Sequence, residues 1–122
     1  MPELDYDALL HANLHRVFGE RDPARRDAAI AELYVAEPVM YEPDKVIEGR
    51  AAISKVAGAL LEQSGPAFAF TPDGKAVGHH GLATLRWHAG PADGPVAVTG
   101  ADVAQIEDGR IARLWVLLNP PA

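Results

Sequence analysis

Apolar residues in the first third of the chain recur at the spacing of a helix. Leu10, Leu14 and Phe18 form one stripe between polar positions, which predicts an amphipathic helix. The segment RDPARRDAAIAELY then carries the signature of a second helix start, with Asp22 as the N-cap and Pro23 at the first helical position. Two helices are therefore predicted before residue 35.

A third helix is predicted to begin near Gly49 and to end at QSGP, residues 63–66, where glycine is followed by proline. Its buried face would consist of Ile53, Val56, Ala57, Leu60 and Leu61. Before this helix, Pro38 and Pro43 bracket VMYE. That stretch is too short for a helix, and we interpret it as an edge strand.

From Ala67 onwards the apolar spacing alternates, which is the pattern of β-strands. EDGR, residues 107–110, carries an Asp-Gly hairpin signal. The last strand, IARLWVLL, is apolar on both faces, with Leu114, Val116 and Leu118 opposite Ile111, Trp115 and Leu117. Because an antiparallel sheet in a small monomer usually exposes one face to water, we expect helices on one face and a second subunit on the other.

Helices followed by a long run of strands predict an α+β fold with one domain over residues 1–122. We expect a cone-shaped, curved antiparallel or mixed sheet wrapped around about three helices from the N-terminal half. Such a cone encloses a pocket that suits a small apolar molecule.

Composition narrows the function classes. The net charge of −6 and the scattered basic residues argue against a nucleic-acid partner. No apolar run reaches the roughly 20 residues that span a bilayer, and the N-terminus is acidic where a signal peptide would be basic. The chain has no cysteine. We therefore expect a cytoplasmic protein without a membrane partner, and the sequence carries no metal or nucleotide motif, so we expect no cofactor.

Asp102 is the first candidate for acid–base chemistry. Alternation places it in one row with Val96, Val98, Gly100, Ala104 and Ile106. If this row is buried, burial raises the pKa of Asp102 and favours the neutral acid, which can donate a hydrogen bond. The opposite row is also largely apolar, so the pattern favours the buried interpretation only slightly.

Glu42 is the second candidate. It shares a face with Met40 and stands directly before Pro43, which pins the chain at the end of the strand. The carboxylate would then lie at the rim of the cavity. The alternative is a solvated acid at a strand end, and a second Glu-Pro pair at Glu37 shows that the dipeptide by itself is not specific.

The histidines offer no clear metal site. His79 and His80 are adjacent, and neighbouring residues on a strand point to opposite faces, so they are not expected to share an ion. His11 and His15 lie four residues apart on the first helix, where a solvated helix face is the commoner meaning.

The order of these features resembles the nuclear-transport-factor-2-like superfamily, and within it the branch of SnoaL-like polyketide cyclases and ketosteroid isomerases. The resemblance runs from about Leu9 to Pro120 and rests on Gly-Arg-x-x-Ile at residues 49–53 and on Gly-x-Asp-Val followed by Asp-Gly-Arg-Ile. It implies a cystatin-like α+β barrel. It also implies a homodimer through the outer sheet face, including Trp115.

The resemblance implies roles for single residues. Glu42 before Pro43 matches the catalytic base of the ketosteroid isomerases, and Asp102 falls where those enzymes hold a protonated aspartate. The expected pocket wall consists of Leu14, Tyr41, Leu85, Trp87, Leu114, Val116 and Leu118.

Two features of the family are missing from this sequence. Leu14 stands at or near the place of the tyrosine that those isomerases use as a second hydrogen-bond donor. Gly100 replaces the arginine that precedes the aspartate in limonene epoxide hydrolases. The sequence therefore leaves two hypotheses open: a cofactor-free isomerase or cyclase acting on an apolar carbonyl compound, or a non-catalytic ligand-binding or structural dimeric domain.

Overall fold

The protein, described here by a computed structural model over residues 4–120, consists of three α-helices and a seven-stranded sheet. The helices are α1 (Tyr6–Asn13), α2 (Pro23–Leu33) and α3 (Arg50–Ser64), and a π-helical turn (Leu14–Phe18) continues α1. The strands are β1 (Tyr34–Glu42), β2 (Lys45–Glu48), β3 (Phe68–Pro72), β4 (Val77–His79), β5 (Leu82–Pro91), β6 (Val98–Glu107) and β7 (Arg110–Leu118). The prediction of an α+β fold with a curved mixed sheet is confirmed. None of the described helices is both long enough and apolar enough to cross a membrane.

The helix boundaries follow from local chemistry. The Asp5 carboxylate accepts a hydrogen bond from the Ala8 amide at 2.9 Å and caps α1. Asp22 does the same for α2 through the Ala24 amide at 3.1 Å, with Pro23 as the first helical residue. Each cap satisfies a backbone donor that the helix itself leaves unpaired. The predicted N-cap of the second helix is confirmed.

The sheet has the strand order β2-β1-β7-β6-β5-β3, and β4 also pairs with β5. β1 and β7 run parallel, the other neighbours are antiparallel, and the sheet does not close. The prediction of VMYE as an edge strand is wrong, because β1 is longer and lies between β2 and β7. Pro38 is tolerated because the β1–β7 register shifts between Tyr34 and Val39, where a missing N–H breaks no regular ladder.

One face of the sheet, the inner face, packs against the helices. The register aligns Asp102 with Leu85 on β5 and with Val116 on β7, and residues alternate between buried and partly exposed along β6. The buried interpretation of the Asp102 row is therefore confirmed for β6. On β7, Ile111 was expected on the same face as Trp115 and Leu117, and this expectation is wrong. The register of β6 and β7 shifts between Gln105 and Ile106, so Ile111 pairs with Ile106 and is fully buried.

The opposite, outer face of the sheet carries a continuous row of mostly apolar side chains. Cross-strand pairing connects β2, β1, β7, β6, β5 and β4 through Val46, Tyr41, Trp115, Val103, Thr84 and Val77. The Tyr41 and Trp115 rings stack with centroids 5.0 Å apart. Among residues 4–120, no helix or strand packs over this face, and Val46 and Val77 are exposed.

Candidate functional site

A cavity of about 170 Å³ lies between the inner face of the sheet and the helices. The helical part of its wall is apolar and consists of Leu14, Phe18, Val56 and Leu60. The sheet contributes Phe68, Phe70, Trp87, Val98, Val116 and Leu118. Glu42 and Asp102 are the two carboxylates on this otherwise apolar wall, which is the usual composition of a small-molecule pocket.

The π-helical turn and an aromatic cluster shape the cavity. The turn directs Leu14 and Phe18 into the wall, and such turns often occur at functional sites. Phe70 packs edge-to-face against Trp87, with centroids 5.3 Å apart. Gly100 leaves room for the indole, because a Cβ atom at that position would lie 2.8 Å from Cζ2 of Trp87. A larger side chain at position 100 would therefore displace the Trp87 ring.

Asp102 is the most unusual residue of the cavity wall. Its residue exposure is 3%. Nε1 of Trp87 donates a hydrogen bond to Oδ1 at 3.0 Å, while Oδ2 is buried and has no hydrogen-bond partner among residues 4–120. Burial raises the pKa of Asp102 from 3.8 to about 7, although the hydrogen bond from Trp87 lowers it. Near neutral pH this carboxyl group therefore exchanges between its charged and neutral forms.

A second buried polar pair lies close enough to Asp102 to experience its charge. The Tyr34 hydroxyl donates a hydrogen bond of 2.5 Å to Oδ1 of Asn13. Burial, and then the negative charge of Asp102, raise the pKa of the Tyr34 hydroxyl well above its usual value of 10. Nδ2 of Asn13 is buried without a partner in the described part of the chain. The Tyr34 side chain is therefore a neutral hydrogen-bond donor at physiological pH.

The sequence prediction missed this Asn13–Tyr34 pair. A signal was present for Asn13, which lies three residues after Leu10 and four before Val17, on the buried stripe of the first helix. Tyr34 lies four residues after Ile30 and continues the apolar stripe of the second helix, but this spacing does not show that its hydroxyl meets Asn13.

Glu42 has different surroundings from Asp102. It is the last residue of β1, it is partly exposed, and it lines both the cavity and a neighbouring surface groove. We call the part of the cavity around Asp102 and Trp87 its inner end. The part at Glu42, where the cavity continues into the groove, is its mouth. The two candidate acids therefore lie on the wall of one cavity, one deeply buried and the other reached by water.

The other predicted pocket residues divide into two groups. Leu14, Trp87, Val116 and Leu118 lie on the cavity wall. Leu85 and Leu114 are buried in the core and are not part of this wall. The expectation for Tyr41 requires correction, because alternation along β1 directs its ring to the outer face, where it stacks on Trp115.

The histidines are arranged differently from the prediction in one respect. Nδ1 of His79 lies 2.9 Å from Nδ1 of His80, although adjacent strand residues were expected to point apart. The reason is that His80 lies in the turn after β4 with a positive φ of 52°. His11 pairs with Asp7 at 3.1 Å. Within residues 4–120, no three metal-binding side chains come together.

Comparisons with known proteins agree with this architecture. The SnoaL-like domain model matches residues 11–114. A proposed isomerase of the SnoaL-like family from Agrobacterium tumefaciens is 21% identical, with a TM-score of 0.87 over 97% of this chain and 100% of that one. A proposed ketosteroid isomerase from Kribbella flavida is 16% identical, with a TM-score of 0.73 over 97% and 80% of the two chains.

A proposed polyketide cyclase from Sinorhizobium meliloti is 20% identical, with a TM-score of 0.68 over 89% of this chain and 93% of that chain. Among curated proteins, none matches this chain. Because the domain model covers most of the sequence, the chain belongs to the SnoaL-like domain family. At these identities the solved structures show a common fold and do not fix the reaction.

Proposed function

We propose that this protein binds a small apolar carbonyl compound in the cavity and acts on it as a cofactor-independent isomerase or cyclase. The proposal assigns Glu42 as the general base and neutral Asp102 as the hydrogen-bond donor to the carbonyl oxygen. One observation carries it: two carboxyl groups in different surroundings share one apolar cavity, and the buried one has a pKa of about 7. Enzymes often assign acid and base roles to paired carboxyl groups in this way.

The proposed reaction begins with proton transfer at the mouth. Glu42 abstracts a proton from the carbon next to the carbonyl group, so the C–H bond breaks and an O–H bond forms on Glu42. The electron pair moves onto the carbonyl oxygen, which neutral Asp102 stabilises through a hydrogen bond from its carboxyl group. In a substrate whose enolate is conjugated with a C=C bond, protonated Glu42 returns the proton to the far carbon of that bond, and the C=C bond shifts. Alternatively, the enolate carbon attacks a second carbonyl carbon and closes a ring, and the alkoxide that forms from the broken C=O π bond takes the proton from Glu42.

The surroundings of each acid suit its role. A hydrogen bond to a developing negative charge is stronger where water is excluded, and Asp102 is almost completely buried. A base must hold its charge in the resting state, and Glu42 is partly exposed at the mouth. The proposed roles, hydrogen-bond donor for Asp102 and general base for Glu42, therefore correspond to the depth of each residue in the cavity.

Deuterium exchange into 2-tetralone tests the proposal without knowledge of the natural substrate. This bicyclic ketone carries acidic protons next to its carbonyl group, and ¹H NMR in D₂O follows their loss. We expect the wild-type protein to accelerate the exchange, and Glu42→Gln and Asp102→Asn each to reduce that acceleration by about 10²-fold or more. Glu37→Gln is the matched control, because Glu37 also precedes a proline on β1 but is exposed and lines no part of the cavity.

Two outcomes would contradict the proposed catalysis. One is wild-type exchange no faster than that of an equal concentration of free carboxylate. The other is acceleration that Glu42→Gln and Glu37→Gln reduce equally, which would place the base outside the cavity.

A second candidate function is non-catalytic ligand binding in the same cavity. It is favoured by the cavity wall itself, where Leu14 provides no hydrogen-bond donor and the Tyr34 hydroxyl is already bonded to Asn13. An enolate would then receive one strong hydrogen bond instead of two. Saturable binding of 2-tetralone without exchange would support this candidate over the first.

We also propose a homodimer in the cytoplasm that pairs the outer sheet faces. The row from Val46 to Val77 is supporting evidence, since Leu82 and Leu117 extend its apolar surface and are about half exposed in the single chain. Sedimentation equilibrium is expected to give twice the chain mass, and Trp115→Lys is expected to give a monomer that still binds ligand. A wild-type monomer at high protein concentration would exclude the dimer.

A further inference from the structure

The mouth of the cavity continues into a surface groove of about 270 Å³. Glu42, Val56 and Leu60 line both spaces, so a ligand in the cavity can extend into the groove without crossing a wall. The groove adds Lys45, the first residue of β2, and Lys55 from α3. A β-hairpin and a helix therefore present one lysine each to the same opening.

These lysines give the mouth a local charge opposite to that of the protein. The chain has a net charge of −6, and its other lysine is Lys75. Neither Lys45 nor Lys55 forms an ion pair within residues 4–120. The lining of the groove contains two lysines and one carboxylate, that of Glu42. The positive charge is therefore available to a ligand.

We propose that the ligand is amphipathic, with an apolar ring system in the cavity and a carboxylate held at the mouth between Lys45 and Lys55. This inference rests on the proposed function of the cavity as a small-molecule site. Lysine suits the task because its flexible stem carries a point charge that can follow the position of an anion. Anchoring the carboxylate at the mouth directs the rest of the ligand towards Asp102 at the inner end.

Each lysine is exposed to solvent, so its contribution is moderate. An exposed ion pair contributes about 0.5–1 kcal/mol, which corresponds to roughly a two- to five-fold change in the dissociation constant. Salt screens such a contact. The apolar part of the ligand supplies most of the affinity, and the lysines supply the preference for an acid over a neutral compound.

Calorimetric titration with 2-naphthoate and 2-naphthamide tests this inference, because the two compounds have nearly the same shape and differ in charge. We expect 2-naphthoate to bind more tightly. Lys45→Gln and Lys55→Gln should each weaken the binding of 2-naphthoate by about two- to five-fold and leave the binding of 2-naphthamide unchanged. Lys75→Gln is the matched control, because it removes the same charge from the β3–β4 connection, away from the cavity and the groove.

The other outcomes distinguish failure of the lysine anchor from failure of the cavity as a ligand site. Equal affinity for the acid and the amide would overturn the role of the lysines and leave the cavity as a ligand site. So would an equal effect of Lys75→Gln, which would indicate a long-range effect of net charge. Absence of binding by both compounds at millimolar concentration would count against the lysine anchor and the proposed function together.

Discussion

The inner end of the cavity and its mouth each hold one carboxyl group, and the comparison between them explains how the site is built. At the inner end, Asp102 is buried and bonded to Trp87, and its pKa is raised to about 7. At the mouth, Glu42 is partly exposed and has two lysines near it. The same functional group is thus buried and has a raised pKa at the inner end, and it is partly exposed at the mouth.

The difference arises from the position of each residue in the sheet. Asp102 is in the middle of β6, with β5 and β7 on either side, so neighbouring strands and the helices exclude water from it. Glu42 is at the end of β1, where the chain turns into β2. The depth of Asp102 within the sheet therefore accounts for its raised pKa.

The largest expected effect is on stability as a function of pH. The folded pKa of Asp102 is about 7 against 3.8 in the unfolded chain, so between these values the folded state holds a proton that the unfolded state has lost. Stability must therefore fall as pH rises through this window, and the loss is complete above the folded pKa. The free energy of unfolding of Asp102→Asn, measured relative to that of the wild type, should therefore increase by roughly 4 kcal/mol as the pH rises from about 4 to about 8.

Urea unfolding of both proteins across this pH range measures the gain, because the other titrating groups cancel in the difference. A stability difference that stays constant with pH would mean that Asp102 has the same pKa in the folded and unfolded states. Asp102 at the inner end would then lack the raised pKa on which the comparison with the mouth depends.

A smaller effect is expected from Trp87→Phe. The variant removes the donor to Oδ1 of Asp102 and leaves a buried acceptor unpaired, which costs about 1–3 kcal/mol. It also removes the contact that lowers the pKa of Asp102, so this pKa should rise further. Trp115→Phe is the control on the outer face, and it should leave the Asp102 titration unchanged; equal titrations in both variants would contradict the assigned role of Trp87.

Tyr34→Phe is expected to be destabilising by about 1 kcal/mol, because Asn13 loses its hydrogen-bond partner in the core. Tyr6→Phe serves for comparison, since the Tyr6 hydroxyl accepts from the Gly81 amide at a partly buried site. Guanidinium unfolding should give the larger loss for Tyr34→Phe. The reverse order would show that the Asn13–Tyr34 hydrogen bond contributes less to stability than the bond between Tyr6 and Gly81.

The smallest expected effect on stability is that of Glu42→Gln. The residue lies at the partly exposed mouth and forms no ion pair within the described residues, so the free energy of unfolding should change by less than about 0.5 kcal/mol. Glu37→Gln should behave alike in the same unfolding measurement. If Glu42→Gln lowers the free energy of unfolding by more than about 1 kcal/mol and Glu37→Gln does not, Glu42 has a structural role, which would contradict this prediction.

Much of the fold could be predicted from local signals in the sequence. The cap at Asp22, the glycine start of α3 and the Asp108–Gly109 turn all act within a few residues, and each is present in the structure. The alternation on β6 slightly favoured the buried interpretation of Asp102, which the structure confirms. These features depend on residue types at fixed spacing, which a single sequence contains.

The errors concern interactions between distant segments. The position of β1 inside the sheet depends on a parallel pairing with β7, and the inward position of Ile111 depends on a bulge opposite Gln105. The contact between Asn13 and Tyr34 joins a helix to the start of a strand. No local pattern in the sequence encodes such contacts. The same holds for Lys45 and Lys55, which line one groove only because the fold places the β1–β2 hairpin beside α3.

The most direct test of the contrast between the two acids is a carboxyl-carbon NMR titration, with Asp102→Asn and Glu42→Gln used to assign the two signals. The structure predicts an Asp102 midpoint near 7, with the neutral acid populated at physiological pH. An Asp102 midpoint near the ordinary value of 3.8 would contradict the account, because Asp102 would then be charged at physiological pH and could not donate a hydrogen bond to an enolate.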